Sequence, residues 1–146
     1  MKIKILFLLF CLFFTSFVFA QTTKPKTAEE WYNLGSEKYN AKEYTEAISF
    51  LQKSIDLDYK YHNALNELGL CYFQLKNFTK AKEYFRLAIL YSEKKATYYS
   101  NMSAVFSKIN EDEKAYDYAR KALEIDETSL TLFNAASMAN NIEKPE

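Results

Sequence analysis

The sequence predicts an all-α protein in which helical hairpins stack into an array. The first observation is a 34-residue period, because pairs of apolar and small residues return at that spacing as Leu34-Gly35, Leu68-Gly69 and Met102-Ser103. The second is an alanine that recurs at the same interval, at Ala47, Ala81 and Ala115. The third is that each copy holds two segments with helical spacing of apolar residues around a short polar turn. A fixed period of this length is typical of stacked repeats.

The first 20 residues differ from the rest and are interpreted as a signal peptide. Lys2 and Lys4 precede an apolar stretch that runs to Ala20 with only Thr15-Ser16 interrupting it. A basic start, an apolar middle and small residues at the end predict export with cleavage after Ala20, to the periplasm or outside the cell. The alternative is an uncleaved membrane anchor, although a bilayer-spanning helix needs about 20 apolar residues. Lipidation of Cys11 is rejected because Phe10, a large residue, precedes it.

Composition excludes several kinds of partner. Without Lys2 and Lys4 the chain retains 17 basic residues against 19 acidic ones, which is a net charge of about −2. No basic excess is available to bind nucleic acid or an anionic membrane surface, so neither is expected to bind after signal cleavage. After cleavage of the signal peptide, which contains Cys11, the only cysteine left is Cys71, and no intramolecular disulfide can form.

The first repeat follows a polar segment, residues 21–27, that is expected to be flexible. Thr27 is predicted to cap a helix, with Glu30 completing a capping box. The polar stretch Asn40–Glu43 is expected to end this helix, and a second helix is predicted from Tyr44 to Leu57.

The second and third repeats follow the same plan. Asn77 is predicted to cap the second helix of the second repeat, and Asn110 lies in the turn of the third. A single terminal helix, predicted at about residues 129–139, would cover the last apolar face of the stack. Residues 140–146 are expected to form a disordered tail.

These units resemble the tetratricopeptide repeat (TPR) family, with repeats at 28–61, 62–95 and 96–129 inside a domain spanning 28–139. The resemblance rests on aromatic, small and alanine positions, among them Trp31, Leu34, Gly35, Tyr44, Ala47, Leu68, Gly69, Tyr72, Phe78, Ala81, Phe85, Ala88, Tyr99, Phe106, Ala115 and Ala122. Four departures from the pattern occur: Lys38, Asp112 and Ala119 replace expected aromatic residues, and no repeat has the proline, whose places are taken by Tyr59, Glu93 and Glu127. The resemblance implies a right-handed TPR solenoid of about seven antiparallel-paired helices. Gly35, Gly69 and Ser103 are expected to face Ala47, Ala81 and Ala115, or their neighbours, where the helices cross.

In this family the first helix of each repeat lines a concave groove that binds a peptide. Carried over by position, the groove would be lined by Tyr32, Ser36, Tyr39, Asn40, Asn63, Asn66, Leu70, Phe73, Gln74, Thr97, Ser100, Ala104, Ser107 and Lys108. The competing interpretation is that Tyr39 and Phe73 mainly pack against the core. TPR domains that bind a terminal carboxylate do so with a clamp of basic and Asn residues on the groove faces of their helices. At those positions this chain has Tyr32, Ser36, Thr97, Ser100 and Asn101, so it lacks the cationic clamp.

No catalytic, cofactor or metal site is predicted. His62 is the only histidine and is expected to be an exposed helix-start residue, and Cys71 is expected to be a buried apolar residue. The function predicted from sequence is therefore an exported adaptor or scaffold, within a bacterial envelope assembly, that binds a protein or peptide. The alternatives are a membrane-tethered scaffold and a self-associating module that forms a homodimer.

Overall fold

The structure is a computed structural model that describes residues 27–92 and 94–142. In these residues the chain forms seven α-helices, at α1 (Ala28–Asn40), α2 (Tyr44–Leu57), α3 (His62–Gln74), α4 (Phe78–Tyr91), α5 (Ala96–Lys108), α6 (Asp112–Ile125) and α7 (Ser129–Ile142). The predicted all-α class with about seven helices is therefore confirmed. The predicted signal peptide and the segment 21–26 lie outside the described residues.

Hydrogen bonds at the helix ends match two of the predicted caps. The Thr27 hydroxyl accepts from the backbone N–H of Glu30, and the Glu30 carboxylate accepts from the N–H of Thr27, which forms the predicted capping box. The side chain of Asn77 accepts from the backbone N–H of Lys80 at the start of α4. Both N-cap predictions are confirmed.

The turn inside each helix pair has the same geometry. Lys42, Lys76 and Asn110 occupy equivalent positions and have φ values of 63°, 58° and 59°. The next N–H in each case bonds back to a carbonyl five residues earlier, as from Glu43 to Lys38. This pattern is a Schellman motif, which satisfies the last carbonyls of the helix and reverses the chain.

Within the first two pairs, a glycine allows the helices to cross closely. A Cβ added to Gly35 would lie 2.6 Å from Leu51 Cγ, and one added to Gly69 would lie 2.5 Å from Phe85 Cε1. Leu51 and Phe85 lie one helical turn beyond the alanines that we expected opposite these glycines. The glycines are needed because each leaves space that a large buried side chain fills.

The third pair differs at this crossing. Ser103 replaces the glycine and is buried, and its hydroxyl donates to the backbone carbonyl of Ala115 at 2.7 Å. Ala119 stands where the other pairs have Leu51 and Phe85, and it is fully buried. The Ala119 departure therefore lies directly in the packed interior without interrupting the fold.

The terminal helix α7 is longer than predicted. It ends at Ile142 rather than near Ala139, so residues 140–142 are helical and do not belong to the expected disordered tail. The physical reason is that neither glycine nor proline occurs between Ser129 and Lys144, and asparagine is tolerated in a last helical turn. Residues 143–146 lie outside the described part of the chain.

The array curves with the first helices of the pairs on its inner side. Helix α3 approaches both α1 and α5, and α5 approaches α7. Among the described residues, by contrast, no α-carbon of α2 lies within 8 Å of α4, and none of α4 lies within 8 Å of α6. Helices that approach each other on one side and separate on the other produce a concave face lined by α1, α3 and α5.

Candidate functional site: the concave groove

The groove is defined here as the concave face of α1, α3 and α5, and hydrogen bonds join these helices across it. Ser36 on α1 donates from Oγ to Glu67 Oε1 on α3 at 2.9 Å. Asn101 on α5 donates from Nδ2 to Asn66 Oδ1 on α3 at 2.8 Å. Each bond links two successive repeats, so the polar residues of the groove are held in place by the stacking itself.

A second network lies where the first helices begin. The Tyr98 hydroxyl donates to Asn63 Oδ1 at 2.9 Å and lies 2.7 Å from His62 Nδ1. Because the single phenolic proton goes to Asn63, His62 Nδ1 is the donor in the second bond. Burial, with smaller contributions from Tyr32 and Tyr61, raises the pKa of Tyr98 to about 12, so it remains a neutral phenol. His62 is half-buried, and its predicted exposure was wrong because Tyr98 covers it from the next repeat.

The carboxyl group of Glu67 is the most unusual feature of the groove. The residue is only 9% exposed, and its Oε2 atom is enclosed without a hydrogen-bond partner among the described residues. Burial raises the pKa of Glu67, and the hydrogen bond from Ser36 partly opposes that effect. A buried carboxylate with one unpaired oxygen is energetically costly in the absence of a ligand.

Several of the predicted groove residues also pack against the interior. The Tyr32 ring meets the Tyr61 ring edge-on at 5.4 Å, and the rings of Tyr39 and Tyr44 lie 5.6 Å apart. Phe73 packs edge-on against Phe78 at 5.6 Å. Tyr39 and Phe73 are both partly buried against core clusters, as the competing interpretation expected, while Leu70 is half-buried on the same cluster as Phe73.

The remaining predicted groove residues are accessible. Among them Asn40, Gln74, Thr97, Ala104 and Lys108 are exposed, whereas Ser100 and Ser107 are half-buried. Of the predicted groove residues, Ser36 and Asn66 therefore form hydrogen bonds along the groove, and Asn63 forms one where the first helices begin.

Sequence reasoning missed four residues of this region: Tyr61, His62, Glu67 and Tyr98. It placed Asn101 on a groove face without predicting its bond to Asn66. A signal for Glu67 was available, because it is the only acidic residue in α3 and stands between Leu65 and Leu68. Tyr98 could not be found in this way, since the adjacent Tyr99 fits the repeat equally well. The structure buries Tyr98 and leaves Tyr99 half-buried.

The groove region holds no reactive thiol. Cys71 is fully buried, as predicted, and burial together with the charge of Glu67 raises its pKa to about 12. At neutral pH this thiol is protonated and therefore a poor nucleophile. No group of three metal-ligating side chains occurs in the described residues.

None of the helices in residues 27–92 and 94–142 is long and apolar enough to span a bilayer.

Comparison with curated proteins finds a match to BBSome complex member BBS4 from Xenopus tropicalis. The identity is 25% over 123 residues, which is 84% of this chain and 24% of that protein. The chain therefore spans about a quarter of the length of this relative.

Solved structures show the same architecture. The first TPR of Spaghetti (RPAP3), bound to the HSP90 peptide SRMEEVD, superposes with a TM-score of 0.77 at 19% identity, covering 85% of this chain and 99% of that one. MamA superposes with a TM-score of 0.67 at 31% identity, covering 69% of this chain and 59% of the other.

Family models place the repeats directly on the sequence. One tetratricopeptide repeat model matches residues 28–61 and a second matches residues 60–128, so together they cover most of the chain. The matched residues contain the helix pairs that cross closely and whose three turns have the same geometry. The chain belongs to the tetratricopeptide repeat family, a family of protein-interaction modules.

Proposed function

We propose that this protein is an exported adaptor whose groove binds an extended segment of another protein within a bacterial envelope assembly. The observation that carries the proposal is the Asn66–Asn101 pair. This bond uses the Asn66 oxygen and one Asn101 amide hydrogen, and no other bond to either side chain is present among the described residues. The Asn66 amide hydrogens and the Asn101 oxygen are therefore available, and together they match the C=O and N–H groups of an extended backbone.

The similar structures support peptide binding as the kind of function. The RPAP3 domain has the same arrangement of helix pairs and is bound to an HSP90 peptide. The acidic character of that peptide does not carry over, because Tyr32, Ser36, Thr97, Ser100 and Asn101 supply no cation at the clamp positions, and Lys108 is a single cation at the end of α5. An acidic peptide is consequently not the expected ligand.

A groove-blocking variant tests the proposal. Thr97→Trp and Ala104→Trp, introduced together, would fill the groove at two exposed positions that have no role in the core. Ser49→Trp with Thr79→Trp provides a matched control, because both positions are exposed on the second helices α2 and α4. Truncation of Tyr39 or Phe73 is a poorer test, since both rings support the core.

The measurement is affinity capture from the native envelope fraction with the full chain, after circular dichroism has shown that both variants are folded. We expect a partner that the wild-type chain and the control retain and that the groove-blocked chain loses. A partner retained equally by all three would move the binding surface away from the groove.

Export is tested separately by the mass of the native protein. Cleavage after Ala20 removes the first 20 residues, whereas an uncleaved anchor leaves the full 17.1 kDa chain. A full-length mass in the membrane fraction would support the membrane-tethered alternative and contradict an exported, soluble adaptor.

A further inference from the structure

The groove contains a single deeply placed charge. Apart from His62 at the start of α3, helices α3 and α5 have one acidic or basic residue each, Glu67 near the middle of α3 and Lys108 at the end of α5. Glu67 is nine-tenths buried, and only its Oε1 atom accepts a hydrogen bond, from Ser36. The second oxygen is enclosed without a partner among the described residues.

No cation of the described chain neutralises this carboxylate. The ion pairs that the described residues form involve Lys38, Lys114 and Arg120, and their acidic partners are Glu43, Glu46, Glu111 and Glu124. A buried carboxylate is stable in its ionised form when it is paired and fully hydrogen-bonded. Glu67 therefore has no cationic partner among the described residues, and a ligand could supply one.

The surroundings of Glu67 suit a long basic side chain. Tyr32 and Tyr39 stand four residues before and three residues after Ser36, so all three lie on one face of α1. Tyr32 and Tyr39 are both partly buried against the core cluster of α2 and α3, and the charge of Glu67 adds to burial in raising the pKa of Tyr32. Aromatic rings of this kind pack against the aliphatic stem of lysine or the plane of a guanidinium group.

The unpaired oxygen of Glu67 is enclosed, so the carboxylate has to turn to meet a ligand. A half-turn about the terminal torsion of a glutamate side chain only exchanges the two oxygens, but this torsion is broad, so smaller rotations cost little. Such a smaller rotation is the movement that pairing with a ligand requires.

We propose that the groove selects a segment with a lysine or arginine side chain, whose cationic group pairs with Glu67 between α1 and α3. This inference rests on the proposed function, since it assigns the chemistry of the peptide that the groove binds. An anionic group is disfavoured here by repulsion from the carboxylate. A Ca²⁺ or Mg²⁺ ion is a poor alternative because such ions take six or more oxygen ligands, and Glu67 supplies one carboxylate.

The test uses the full-length chain in a mild non-ionic detergent and five pools of acetylated, amidated nonapeptides. The central residue of each pool is lysine, arginine, norleucine, citrulline or glutamate, and the flanking positions are randomised. We expect the lysine and arginine pools to bind the wild-type chain about tenfold more tightly than the norleucine and citrulline pools, which is the usual range for one charge-assisted hydrogen bond.

Glu67→Gln tests the assignment to this side chain. Glutamine retains the oxygen that accepts from Ser36 and removes the charge, so the advantage of the basic pools should fall to less than about twofold. Glu83→Gln is the matched control, because Glu83 is exposed on α4, outside the groove, and its replacement should leave the preference unchanged. Circular dichroism checks the fold of both variants.

The outcomes separate this inference from the proposed function. Equal binding of all pools by the wild-type chain, which needs no variant, would overturn the basic-residue inference and leave peptide binding in place. A basic preference that persists in Glu67→Gln would overturn the role of Glu67. Failure of every pool to bind the wild-type chain would overturn peptide binding itself, and the inference with it.

Discussion

The second and third helix pairs achieve the same close crossing with different residues. Between α3 and α4, Gly69 leaves a space that the ring of Phe85 fills. Between α5 and α6, the residues 34 positions later are Ser103 and Ala119, and the Ser103 hydroxyl bonds to the Ala115 carbonyl instead. One pair combines the smallest residue with a large ring, and the other combines two small residues with a hydrogen bond.

This comparison shows that the crossing depends on the two facing positions together. A serine opposite Phe85 would clash, because any Cβ at residue 69 would meet the ring at 2.5 Å. A serine opposite Ala119 is accommodated and gains a hydrogen bond. The third repeat therefore looks divergent residue by residue, although Ser103 and Ala119 compensate for each other at the crossing.

The largest effect is expected from Phe85→Ala. Phe85 is 1% exposed and belongs to the core cluster shared by α4 and α5, so its loss leaves a cavity beside Gly69. We expect the free energy of unfolding to fall by about 3–5 kcal/mol, measured by denaturant titration. Tyr59→Ala, at a position that is 64% exposed, serves as the control and should change stability by less than about 0.5 kcal/mol. A loss below about 1 kcal/mol for Phe85→Ala would show that the ring does not fill this space.

The next largest effect is expected from Gly69→Ala, and its sign should depend on Phe85. In the wild-type chain the added methyl group overpacks against the ring, so we expect a loss of about 1–2 kcal/mol. In a Phe85→Ala background the clash is absent, and the better helix propensity of alanine should stabilise the chain by up to about 1 kcal/mol.

A double-mutant cycle measures this coupling directly. Additive effects of the two substitutions would contradict the claim that the two positions act together at the crossing.

The smallest effect is expected from Ser103→Ala. The substitution removes the hydrogen bond to the Ala115 carbonyl without leaving a buried donor unpaired, so we expect a loss of about 0.5–1 kcal/mol. Ser107→Ala in the same helix measures the contribution of helix propensity alone. Equal effects of the two substitutions would show that the Ser103 hydrogen bond contributes nothing to stability.

The groove illustrates how far sequence reasoning reaches. Position within the repeat was enough to select Ser36, Asn63 and Asn66 as candidate residues of the groove. It was not enough to find the partners Glu67 and Tyr98, or to pair Asn101 with Asn66, because those bonds join residues 31 to 35 positions apart on different helices. Single-repeat patterns contain no information on which side chain of the next repeat reaches across.

By itself, the sequence determined the repeat period, the all-α class, two of the helix caps and the burial of Cys71. These features follow from local hydrogen bonding and from apolar spacing along one helix, both of which are visible in the order of residues. Only the tertiary structure decided that the glycines face Leu51 and Phe85, that Tyr98 is buried, and that Glu67 is enclosed with one oxygen unpaired. Burial and pairing of this kind depend on the distances between stacked helices, and those distances are set by all the packed side chains together.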